Sequence, residues 1–235
     1  MRRLPCVLVL FLLPFPLFAQ EGPNAADLVA GGQKLIAGKK VPEALEAFRQ
    51  ATEKDPGSAE AHYQLARAYA LLRAQKKVCE YDAYRSTVIE QLDAAIRLDE
   101  KLASRLKKDK DFVVVQDTFG FQRLIGLSAQ EERDLPVILQ RVTWYGPCPG
   151  AYGPSGGLKF LPRGKLETWT LDPPEGGPAK KVKGIGTWKI EDGKILLKIG
   201  KEKTVQEGTL SSTGQLEFNA EGFGPYSDDP CECEA

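Results

Sequence analysis

The sequence predicts an α+β chain of two domains, repeated helical hairpins in the N-terminal part and an antiparallel β meander or small barrel in the C-terminal part. Three observations carry this reading. Through about the first hundred positions, apolar residues recur at helical spacing with a self-similarity of about 34 residues. From Val137 onward the period changes to alternation, and Gly and Pro become frequent. Ahead of both stands a short apolar segment led by two arginines.

That segment comes first in the chain. Arg2 and Arg3 precede an apolar run from Val7 to Phe18, too short to span a bilayer. Residues 1–19 therefore read as a secretory signal peptide cut after Ala19, on the general route of export. Cys6 lies at the start of the apolar run and Gln20 follows the cut, so no cysteine is placed for a lipid anchor. The expected localisation is exported, periplasmic or secreted. Loss of Arg2 and Arg3 turns 32 basic residues into 30, against 32 acidic, a formal charge of −2. Charges so nearly balanced lack the footprint that nucleic acid requires, and no segment of the mature chain is apolar enough to span a membrane.

The helical domain is expected over residues 25–134. Leu28 and His62, and again Leu35 and Tyr69, mark the repeat period. In the first unit Leu28, Gly31, Gly32 and Leu35 form one stripe, and Ala44, Phe48 and Ala51 form a second. Gly38-Lys39-Lys40 interrupts them, Pro42 sits where a first helical turn tolerates it, and Asp55-Pro56-Gly57 stops the second helix before Ser58 caps the next. Gly32, Ala44, Phe48, Ala51 and Pro56 stand where the tetratricopeptide repeat pattern has those residue types, and the first unit resembles that family. Leu28 and Leu35 replace its two aromatics. The second unit continues the likeness with Leu65, Ala66, Tyr69 and Ala95, and His62 takes the place of the first aromatic. The resemblance covers about residues 25–100.

The second unit departs from the pattern, because some ten extra residues fall around Ala74 to Arg85, giving longer helices or a bulging turn. Two hairpins also need a cap, since each repeat buries its apolar face only against neighbours. Residues 101–126 are expected to supply it as short helices bearing Leu102, Leu106, Phe112 to Val115, Phe119, Phe121 and Leu124. Ser128-Ala129-Gln130-Glu131 reads as a capping box ahead of one more helical turn before Pro136.

The β domain is expected over residues 135–235. Val137 to Tyr145 reads as its first strand, and Leu158–Leu161 pairs with Leu166–Leu171 through Pro162-Arg163-Gly164. Val182, Gly184, Gly186, Trp188 and Ile190 share one face of a strand, with Lys181, Lys183, Thr187 and Lys189 on the other. Asp192-Gly193 turns the chain into Ile195 to Ile199, and Thr204–Leu210 with Gln215–Asn219 makes a last hairpin. Gly186-Thr187-Trp188-Lys189-Ile190 with Asp192-Gly193 resembles a hairpin phrase of small bacterial lipocalin-like domains, a likeness that brings no ligand site with it.

Catalytic chemistry finds no constellation, so the chain does not read as an enzyme. The single histidine, His62, occupies a packing position, which leaves a Ser or Cys nucleophile without a base. Gly146 to Gly157 lacks the Gly-Lys-Ser/Thr of a phosphate loop. Asp109 and Asp111 lack the other ligands of a calcium loop, and the acidic Asp228, Asp229, Glu232 and Glu234 read as a solvated end. No cofactor and no metal site is expected. Cys79, Cys148, Cys231 and Cys233 are disulfide candidates in an exported chain, with three connectivities open. A curled meander would bring its two ends together, which pairs Cys148 with Cys231 or Cys233 and leaves the other tail cysteine for Cys79 or free.

Binding remains. The family resemblance implies a concave face made by the first helix of each hairpin, on which Gln33, Glu60, Tyr63 and Arg67 would meet a peptide or protein partner. The leading expectation is an exported protein-interaction module. The alternative is a carrier holding a small apolar ligand inside a lipocalin-like barrel, to be told apart by a cavity in the barrel rather than a filled core.

Overall fold

A computed structural model describes residues 22–148, 154–172, 180–200, 204–219 and 225–232. The leader read over residues 1–19 and the candidate Cys233 lie outside these described residues. Among the described residues no helix is long and apolar enough to cross a membrane.

Helices α1 (Ala25–Ala37) and α2 (Val41–Lys54) form the first hairpin. The Asn24 side chain accepts from the Asp27 N–H and caps α1, Pro42 opens α2, and Ser58 accepts from the Ala61 N–H to cap α3 (Ala59–Ala74). Gly32 sets the distance between α1 and α2: a Cβ there would lie 2.4 Å from the Phe48 ring. Phe48 is fully buried in the space this leaves, with Ala44, Ala51 and Ala66 equally enclosed. The ten extra residues of the second unit are a bulging connection, which contains the single turn α4 (Val78–Tyr81) and leads into α5 (Arg85–Leu98). The hairpin helices keep their length and pack through Val88, Leu92 and Ala95.

The expected cap follows as α6 (Leu102–Leu106), a 3-10 turn over Lys110–Val115 and α7 (Phe119–Leu124). Despite its strand propensity the Val113–Val115 run is helical, because Asp109 caps the turn by accepting from the Asp111 N–H and because Phe112 and Val115 are drawn into the first core. Gly120 lets α7 approach α5, since a Cβ on it would stand 2.5 Å from Ile89.

Seven antiparallel strands form one sheet in sequence order: β1 (Trp144–Tyr145), β2 (Gly156–Leu161), β3 (Lys165–Asp172), β4 (Lys180–Glu191), β5 (Lys194–Ile199), β6 (Gln206–Leu210) and β7 (Leu216–Phe218). Asp192 and Gly193 both take positive φ in the β4–β5 turn, as a two-residue hairpin of matching twist requires. Tyr226 bridges to Leu216 of β7 and Ser227 bridges to Tyr145 of β1, so this short segment stands between the two ends of the sheet. The meander is thereby a nearly closed barrel.

One strand expectation is corrected. Val137 to Tyr145 is not one strand: Leu135–Arg141 is a helix, α8, followed by the two-residue β1. Pro136 suits a first helical turn, and Leu135, Ile138 and Leu139 fall at helical spacing on the second core. Val182 shares the face of Trp188, as expected, yet is 51% exposed. The β4–β5 ladder begins only at Gly186, so the outer part of the β3–β4 hairpin runs beyond the core.

The barrel interior is filled. Trp144, Leu158, Phe160, Leu166, Ile195, Leu197 and Leu216 are buried against one another, with Ile138 and Leu139 of α8 beneath them. The Trp144 Nε1–H donates to the Leu139 carbonyl at 3.2 Å, and that of Trp188 to the Leu161 carbonyl at 2.9 Å. Packing does not change hands at residue 135, because Phe119 belongs to this second core and lies over Gly214, whose φ is +87°.

Candidate functional site

The four residues expected on the concave helical face lie together, and the chain itself covers much of that face. Tyr63 on α3 is fully buried, its ring edge-on to Phe112 and its hydroxyl donating to Asp109 Oδ2 at 3.0 Å. Burial and the Asp109 carboxylate push its pKa well above the ordinary tyrosine value, so it stays a hydrogen-bond donor. One turn further along, Arg67 Nε pairs with Asp111 Oδ2 at 2.6 Å. Arg105 from α6 lies over the Tyr63 ring at 4.0 Å and donates to Glu60 Oε2 at 2.7 Å.

Tyr63 is therefore closed to a partner, a correction to the expected site. The cause is the shortness of the repeat array: two hairpins leave their inner apolar face uncovered, and Leu102, Leu106, Phe112 and Val115 bury it. Asp109 and Asp111 are the acidic partners that fasten this cover. What remains open is its edge. Gln33 is exposed and its Nε2 donates to Glu60 Oε1 at 3.3 Å, so Gln33, Glu60 and Arg105 form a polar strip across α1, α3 and α6. His62 lies beside it in a structural role, with Nε2 donating to the Pro56 carbonyl at 3.1 Å and Nδ1 meeting the Gln91 side chain at 2.8 Å.

A second assembly lies where the helices meet the barrel. The segment that closes the sheet continues through Asp228 to Glu232 and returns to the helical part. Asp228 Oδ2 accepts from the Phe119 N–H at 2.7 Å; burial raises its pKa, opposed by backbone N–H groups at Phe119 and Gly120 and by the charge of Arg85. Glu232 ion-pairs with Arg73 and accepts from the Arg85 N–H at 3.0 Å. Arg85 also donates to Asp117 at 3.3 Å and lies 5.9 Å from the Tyr145 ring. Cys148 and Cys231 are disulfide-bonded with Cα atoms 5.9 Å apart, and Cys79 is disulfide-bonded as well. This acidic segment, read from sequence as a solvated end, is instead a strap. Its partners Arg73 and Arg85 are ordinary helix-surface residues in sequence, and no periodicity marks them.

Beside the strap lies a cleft of about 670 Å³, with Tyr84, Ile89, Phe119, Arg123, Thr213 and Asp228 in its walls. Among the described residues no cluster of three His, Cys, Asp or Glu is placed to hold a metal ion.

The tetratricopeptide repeat family (TPR repeat) matches residues 32–72, from the middle of α1 to near the end of α3. The helical part thus carries a tetratricopeptide repeat over these residues, a unit that generally mediates protein–protein interaction. Comparison with curated proteins and with solved structures gave no match.

Proposed function

We propose that this chain is an exported protein-interaction module whose helical part binds a protein or peptide partner in the cell envelope or outside the cell. The repeat match over residues 32–72 carries the reading. Two further observations support it: the barrel core is packed with large side chains, which suits a positioning domain better than a carrier, and the disulfides suit an oxidising compartment. Partner contact falls on the open strip of Gln33 and Glu60 at the edge of the covered groove.

Two measurements test this. The mature protein, isolated from its native source, is expected outside the cytoplasm with Gln20 as its first residue; recovery of unprocessed chain in the cytoplasm would overturn export. The double variant Gln33→Ala/Glu60→Ala is expected to keep its thermal transition within a few degrees and to lose about tenfold in affinity for a partner recovered from the envelope fraction, the effect of about 1.4 kcal/mol. Unchanged affinity would move the contact elsewhere on the molecule.

A further inference from the structure

The charges of the chain are balanced overall but not evenly spread. Between residues 156 and 200 stand nine Lys and Arg against five Asp and Glu, a local surplus of four positive charges. The strand alternation sorts many of them onto one face. Leu158, Phe160, Leu166, Trp188, Ile195 and Leu197 point into the core, so Lys159 of β2, Lys165 and Glu167 of β3, Lys181 and Lys183 of β4 and Lys198 of β5 stand on the outer face. Lys189 pairs with Glu191, and Lys194 with Glu207 at 2.8 Å. Lys159, Lys165, Lys183 and Lys198 make no ion pair with any described residue, and the only carboxylate among them is Glu167, directly opposite both Lys159 and Ile185 in the ladder.

At the centre of these lysines lies an apolar floor. Ile185 is 76% exposed, the most exposed large apolar side chain among the described residues. Next to it Trp169 lies flat across Gly157, where a Cβ would stand 2.4 Å from the indole, and Lys181 sits 4.2 Å from the Trp169 ring. Ile185 and Trp169 thus put apolar surface in the middle of lysines that make no ion pair with any described residue.

We propose that the outer face of β2 to β5 is a docking surface for an acidic polypeptide segment of a protein partner, with an apolar side chain of that segment seated on Ile185 and Trp169. Charge complementarity selects the acidic partner. The small apolar area, one exposed isoleucine beside a half-buried indole, selects a polypeptide over a bilayer, whose binding scales with buried apolar area. This surface is separate from the Gln33 and Glu60 strip, and its assignment does not depend on that reading.

The test uses the full mature protein and a short labelled peptide of alternating Glu and Leu, followed by fluorescence anisotropy. Binding is expected at low salt and is expected to weaken steeply as salt screens the lysines. Lys165→Glu/Lys183→Glu and, separately, Ile185→Ser are each expected to lower the affinity about tenfold or more, while Lys39→Glu/Lys40→Glu on the helical side and Gln33→Ala/Glu60→Ala leave it unchanged. All these positions are exposed or half-buried, and each variant is checked for an unaltered thermal transition. No binding, equal binding of a Lys and Leu peptide, or equal binding by the Lys165 and Ile185 variants would overturn the proposal. So would anionic phosphatidylglycerol vesicles that bind through Lys165 and Lys183 when the peptide does not, an outcome that would assign the face to a membrane.

Discussion

Tyr63→Ala is expected to unfold the helical part about 3 to 5 kcal/mol more readily than the parent. Three losses combine. The ring leaves a cavity against Phe112, Arg105 loses the aromatic face beneath it, and Asp109 loses the hydroxyl that donates to it. Tyr63→Phe separates these contributions, because it keeps the ring and removes only the hydroxyl, at an expected cost of about 1 kcal/mol. Urea unfolding followed by helical circular dichroism measures both. A Tyr63→Ala protein as stable as the parent but unable to bind its partner would show that the cover over the groove is loose and the groove itself is the site.

Removal of the Cys148–Cys231 bond by Cys148→Ala/Cys231→Ala is expected to lower stability by as much as about 4 to 5 kcal/mol. The bond joins residues 83 apart in sequence, so the open denatured chain gains the freedom of a long loop. Residual structure in the denatured state reduces that figure, and the disulfide at Cys79 does so to the extent that it constrains the same segment. Thermal or urea unfolding under oxidising conditions is the measurement, with peptide mapping without reduction to identify the bonds. A midpoint within a degree of the parent, or a Cys148 found as a free thiol, would show that the bond does not hold the strap in solution.

The parts of the fold that local chemistry decides were legible. Gly32 and Phe48 identified the first hairpin because only a residue without a side chain admits that ring. Asp192-Gly193 identified its turn because both positions take positive φ. The misread stretch, Val137 to Tyr145, is rich in residues that suit either element, and its helix is decided by the core beneath Leu135, Ile138 and Leu139. The exposure of Val182 was equally hidden, since alternation alone does not say where along β4 the core ends.

The shared helical face of the four expected residues was legible, and its accessibility was not. Gln33, Glu60, Tyr63 and Arg67 do lie together, but the cover over Tyr63 comes from residues some forty positions on, joined through Asp109 and Asp111. Nor could the strap be read, because the pairing of Glu232 with Arg73 and Arg85 is a contact in space between charges that look solvated in sequence.

The placement of Tyr226 and Ser227 between β7 and β1 also sets an order of events. Tyr145 pairs with Gly157 nearby, but its second bridge forms only when Ser227, about 80 residues further along, has arrived, and such distant pairings are slow to form. Until then both outer strands of the sheet, β1 and β7, carry unpaired backbone groups that a neighbouring molecule can extend. A chain in which Tyr226 and Ser227 have not yet docked is therefore a template for intermolecular strand addition.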